Sequence, residues 1–158
     1  MKRTLQAIKG LPADVDTWDY KPDPKSRTAH EIIGHVLPHA EELSGAIDTS
    51  VVAESGKKFT SIHEASIYYE TNSNQLIDKL KLVDDSKWEN EIVSLKVRDM
   101  KIFDAPMGDM FWMLLFDTIH HRGQLSTYYR SMGVRNPQVY GPTAEDMEAI
   151  AASLSAKQ

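Results

Sequence analysis

Cysteine is absent from this 158-residue chain. That excludes disulfides, thiolate nucleophiles and cysteine-ligated zinc, and it fits the reducing cytoplasm, where we expect the protein to reside. Long apolar runs are missing as well. The most apolar stretch, Met110 to Phe116, is too short to span a bilayer, and the first ten residues start basic without the apolar core of a signal peptide. A basic field is also missing. The net charge is −5 and the lysines and arginines are scattered, so the chain as a whole attracts neither nucleic acid nor anionic lipid. What is present is an ordinary globular composition, 41% hydrophobic and 26% charged. The length favours one domain over residues 1–158, able to bury roughly 70% of its surface.

Hydrophobic spacing divides the chain into helices separated by proline- and glycine-containing connectors. A short first helix carries Leu5 and Ile8 and ends at Gly10 and Pro12. Residues 11–27 form a connector that Trp18 and Tyr20 pack onto the body. Thr28-Ala-His-Glu31 has the form of a capping box. It opens a second helix whose inner stripe includes Ile32, His35, Val36, His39 and Leu43. Pro38 lies inside this helix and predicts a kink, because it removes a backbone bond and presses on the carbonyl of Gly34. Ser61-Ile-His-Glu64 opens a third helix reaching about Leu82. Residues 87–105 read as either a short hairpin or an extended crossover. Pro106 suits the first turn of a fourth helix that ends at Gly133. Thr143 caps a short final helix with Met147, Ile150 and Leu154 on one side. This pattern predicts an all-α four-helix bundle with a long crossover between helices three and four.

The chemistry concentrates in Asp117-Thr-Ile-His120-His121-Arg122-Gly-Gln124. Met110, Phe111, Leu114 and Leu125 mark the buried stripe of the fourth helix, and Asp117, His121 and Gln124 continue it. A carboxylate and an imidazole four residues apart share one face. From spacing alone, a shared metal ion and a plain Asp–His hydrogen bond are both open. A lone inward histidine such as His35 is more often a hydrogen-bonded core residue. His30 and His63, in first turns, read as solvated, and His120 is rotated about 100° from His121. Arg122 and Arg130 read as members of ordinary ion pairs, with anion binding as the other option. Tyr140 reads as packing, with lining of the pocket as the other option.

Residues 117–129, followed by Arg130-Ser-Met-Gly133 and Pro137-Gln-Val-Tyr140-Gly141-Pro142, resemble the signature of the DinB-like family. Residues 18–28, with His35 in the following helix, are similar to it too. These are metal-binding four-helix-bundle proteins related to the bacillithiol and mycothiol S-transferases. The family name refers to DNA damage, a stress response, and implies no DNA binding. By position, the resemblance implies metal ligands at His35, Asp117 and His121. Asp117 stands where the family commonly has histidine. Two imidazoles and a carboxylate leave up to three positions open on a divalent ion and tilt the choice toward iron or manganese, with zinc and nickel still possible. Asp117 could instead orient an imidazole, with His39 or His120 replacing it as ligand.

The resemblance further implies a thiol S-transferase, which would activate a low-molecular-weight thiol and direct it at an electrophile. A chain without cysteine suits that role, since the sulfur comes from the cosubstrate. Hydrolysis by metal-activated water uses the same residues. The alternatives are a non-catalytic bundle with a closed metal site and a ligand binder without turnover. The first helix is also shorter than the family's. A short first helix leaves an apolar groove open, predicting either a homodimer or a longer natural N-terminus.

Overall fold

The computed structural model describes residues 1–156. Its frame is helical: α1 (Lys2–Ile8), α2 (Ala29–Val36), α3 (His39–Thr49), α4 (Ile62–Leu80), α5 (Asp85–Asn90), α6 (Met107–Ser131) and α7 (Ala144–Ser155). The anticipated N-caps are all in place. Thr28, Ser61 and Thr143 each accept from the backbone N–H three residues on, and Thr28 and Thr143 complete reciprocal boxes. Gly133 closes α6 at φ 74°, with the Val134 N–H returning to the Tyr129 carbonyl.

The all-α expectation is corrected by a three-stranded sheet. It is ordered β1 (Val51–Glu54), β2 (Ile92–Val97), β3 (Met100–Pro106). β2 and β3 form the hairpin that was one reading of residues 87–105. Arg98 and Asp99 turn it, both at positive φ, as a two-residue hairpin loop requires. β1 pairs parallel with β2, Val51 opposite Ser94 and Glu54 opposite Val97. The crossover between α4 and α6 is therefore structured, holding α5 and the hairpin.

Pro38 does more than bend its helix. It separates α2 from α3. Pro38 has no N–H to offer the carbonyl of Gly34, and the Lys57 N–H takes that carbonyl instead, at 3.0 Å. Two more bonds dock the same segment: Phe59 N–H to His30 Nε2 at 3.2 Å, and Ser55 N–H to Glu42 Oε1 at 2.6 Å. His30 is thus a buttress, not the solvated residue expected. Its ring also meets Trp18 edge-on. Trp18 is fully buried and donates to the Pro12 carbonyl, so the connector is packed as anticipated.

The core has two parts. One gathers Ile8, Trp18, Ile32, Val36, Phe59, Leu125 and Tyr129; the other gathers Leu43, Val52, Val93, Met107, Met110 and Leu114. Between them, α2–α3 carry His35 and His39, and α6 carries Asp117 and His121. A polar cluster thus interrupts the apolar core midway along the bundle. On α7, Met147, Ile150 and Leu154 share a face, but that face is exposed. Trp112, Leu115, Phe116 and Ile119 give α6 a second, exposed apolar stripe. No helix among the described residues is long and apolar enough to cross a membrane.

Candidate metal centre

The three residues anticipated as ligands come together. One donor atom from each of His35, Asp117 and His121 lies within 4.8 Å of the others. His35 Nε2 is 3.1 Å from Asp117 Oδ2, and His121 Nε2 is 3.5 Å from Asp117 Oδ1. The spacing of four on α6 sets the second contact; the break after Val36 brings α2 close enough for the first.

The far nitrogens explain which way the rings face. His35 Nδ1 lies 2.9 Å from Glu54 Oε1, and His121 Nδ1 lies 2.6 Å from Gln124 Oε1. Each acceptor fixes the N–H on Nδ1 and leaves a lone pair on Nε2. Glu54 was invisible to the sequence reading. It is the last residue of β1, and only the sheet carries it to His35.

His39 is the fourth member. It is buried, its ring edge-on to that of His35 at 4.9 Å, and its Nε2 is 3.8 Å from Asp117 Oδ2. Its Nδ1 faces the hydroxyl of Thr118 at 3.5 Å, and that hydroxyl itself donates to the Leu114 carbonyl. The same tautomer follows. His120, the other substitute ligand considered, is exposed and outside the cluster.

Among the described residues His39 Nε2 is a buried atom without a hydrogen-bond partner, and the buried Asp117 Oδ2 has the His35 imidazole beside it at 3.1 Å. Unsatisfied buried polar atoms are uncommon and costly. Several lone pairs converging on one carboxylate, each imidazole held from behind, is a donor set that fits a divalent cation.

Protonation agrees with that fit. Burial first, then the neighbouring His35, pushes His39 down to about 4. Burial likewise lowers His121. Burial alone would raise the Asp117 carboxyl; a proton on the His35 nitrogen facing it and the charges of the imidazoles outweigh that and hold the group below its ordinary value, a role a bound cation would take over from those protons. Near neutral pH His39 and His121 are therefore lone-pair donors and Asp117 is an anion.

A cleft of about 870 Å³ opens on His35 and Glu54. Lys21, Lys25, Arg27, Lys57, Lys58 and Arg98 line it against Asp19, Glu31 and Glu54, so its wall is net positive. The two arginines of the signature differ. Arg130 forms a two-pronged surface pair with Glu145, as expected. Arg122 is buried and, among the described residues, its side chain bonds Thr4 and Tyr140 and no carboxylate. That corrects the ion-pair expectation for Arg122 and gives Tyr140 a polar role.

A helical bundle flanked by a small sheet, with histidines and a carboxylate converging at mid-bundle, defines the class. The chain belongs to the DinB family, whose profile matches residues 1–155. The fold is similar to that of a DinB-like protein from Bacillus subtilis, with TM-score 0.65, 16% identity, and 90% of this chain and 92% of that one covered. A DinB-like protein from Bacillus cereus gives TM-score 0.67 and 17% identity over 88% and 89%. No curated protein matches the sequence.

Proposed function

We propose that the protein is a metal-dependent enzyme of the thiol S-transferase type, with His35, Asp117 and His121 as ligands of a divalent ion. The supporting observation is the facing of the rings: Glu54 and Gln124 hold the Nδ1 sides of His35 and His121, while both Nε2 atoms turn to Asp117. The ion, when bound, supplies the Lewis acidity that lowers the pKa of a small thiol.

The chain's own residues do the rest. Asp117 offsets one unit of the ion's charge and favours harder metals such as iron or manganese over a three-histidine site, with zinc and nickel compatible. Three protein ligands leave room for substrate, the arrangement of catalytic sites, whereas His39 as a fourth would close the set and favour a structural one; of the four, His35 is the one that lines the cleft. The positive wall of the cleft favours a cosubstrate carrying negative groups. The thiol proton passes to water in the cleft. The sulfur then bonds to the electrophilic carbon of the second substrate, and the leaving group departs with the electron pair. His39, with its conjugate acid near pH 4, is too weakly basic to store that proton.

Elemental analysis of untagged protein tests the ligand set. Wild type should carry close to one divalent ion per chain, and His35→Ala, Asp117→Ala and His121→Ala should lose it. A metal-free wild type, with variants differing only in stability, refutes the reading. For the chemistry, added thiol should shift the visible spectrum of the cobalt-loaded protein; an unchanged spectrum argues against thiol activation.

A further inference from the structure

A second cavity lies apart from the cleft. It is a groove of about 300 Å³ bounded by α1, α3, α4 and α6, at the small end of the range that ligands occupy. Leu43, Leu76, Leu80, Phe111 and Leu114 supply much of its wall, and no aspartate or glutamate lines it. Arg122 lines it too and is only 8% exposed.

The partners of Arg122 are all neutral. Its Nη1 donates to Thr4 Oγ1 at 3.2 Å and its Nη2 to the Tyr140 hydroxyl. Its Nε is buried with no partner. Arg130 and Arg135 each have a carboxylate within ion-pair distance; among the described residues Arg122 has none. A second cation makes the imbalance larger. The guanidinium of Arg3 sits 4.3 Å from the centre of the Tyr140 ring, and that of Arg122 sits 5.5 Å from the same ring.

A guanidinium does not shed its proton when buried, so its charge cannot be removed as a histidine's or lysine's can. Buried charges are normally matched by a partner, and an uncompensated one is strongly unfavourable. The unpartnered Nε–H is enclosed, whereas Nη1 and Nη2 each carry a second N–H beyond the bonds to Thr4 and Tyr140, and a pair of guanidinium N–H groups matches the two oxygens of a carboxylate. An apolar groove of ligand size, ending in a buried cation with an open donor, is complementary to a molecule that is anionic at one end and greasy along the rest.

We propose that this groove binds a small amphipathic carboxylate, with its head on Arg122 and its aliphatic tail along Leu43, Leu76, Leu80 and Leu114. Of the polar cluster, His39 lines the groove whereas His35, Asp117 and His121 do not; the groove therefore adjoins the centre, and the test removes metal to separate the two readings.

The test uses the full chain, stripped of metal with a chelator so that no carboxylate can bind through an ion. Titration calorimetry compares decanoate, decanol and decyltrimethylammonium, which share a tail and differ in head charge. Decanoate should bind one per chain, at least about tenfold more tightly than decanol, as a charge-assisted pair requires. The cationic analogue should not bind. Arg122→Met should bring decanoate down to the level of decanol, and Arg122→Lys should retain part of the difference. If Arg122→Met fails to fold by circular dichroism, the head-group series on wild type decides alone. Equal binding of decanoate and decanol overturns the proposal. So does absence of decanoate binding up to about 1 mM, whether light scattering then shows a dimer, which would give the groove to a polypeptide partner, or a monomer.

Discussion

Gly34→Ala is the sharpest test of how the site is framed. A Cβ at Gly34 would lie 2.1 Å from the carbonyl oxygen of Lys57, and ordinary contact begins at 3.4 Å. The obstacle is backbone, so residues near Lys57 must retreat by roughly 1.3 Å, the gap between those distances. Retreat breaks the Lys57 N–H bond to the Gly34 carbonyl, a net loss of about 1 kcal/mol. It also strains the Phe59–His30 bond and the buried Phe59 ring, an overpacking effect of about 1–3 kcal/mol. Against this, alanine is the better helix former by about 1 kcal/mol. The expected result is destabilisation of about 1–3 kcal/mol in equilibrium urea unfolding. Gly45→Ala in α3 is the matched control, because nothing lies within 4 Å of its added Cβ; it should stabilise by about 0.5–1 kcal/mol. If Gly34→Ala is as stable as Gly45→Ala, the docking of this segment on a bare backbone is not what holds it.

Glu42 gives a pH signature. Burial pushes its carboxyl up to about 7 from 4.5, against the pull of the Ser55 N–H and hydroxyl. The folded protein therefore holds a proton that the unfolded chain has lost, so this contribution is complete below about pH 4.5 and is lost as pH rises toward 7. Glu42→Gln should unfold in urea like wild type at pH 4.5 and be more stable at pH 8 by about 2–3 kcal/mol; parallel curves would refute the buried-proton account. Glu54→Gln should weaken metal affinity about 10–100-fold in a chelator competition while leaving urea stability within about 0.5 kcal/mol. Arg130→Ala removes a solvent-screened surface pair with Glu145 and should leave the urea midpoint unchanged.

The helices were legible because their signals are local. Capping residues at Thr28, Ser61 and Thr143, Pro106 at the head of α6 and Gly133 at its tail each act within a turn. The i, i+4 placement of Asp117 and His121 put them on one face for the same reason. The ordering of these two with His35 came from the resemblance, not from periodicity. What escaped notice was non-local. β1 has only four residues, and nothing near Val51 announces that its partner is β2. Without that pairing Glu54 has no reason to be near His35. His30 was misread because its contact, the Phe59 N–H, lies on a segment whose path depends on the bare Cα of Gly34 and the missing N–H of Pro38. Arg122 was assigned an ion pair on general grounds, but no carboxylate shares its groove.

The parallel pairing of β1 with β2 also bears on the order of folding. Gln124 reaches His121 within one turn of α6, a contact that forms as soon as the helix winds. Glu54 reaches His35 only after β1 has found a strand roughly 40 residues further along the chain, a step slowed by loop-closure entropy. Pulsed hydrogen exchange during refolding should therefore protect amides of α6 before those of β1. One imidazole acquires its tautomer early and the other late, and the centre is complete only when the smallest strand of the sheet has closed.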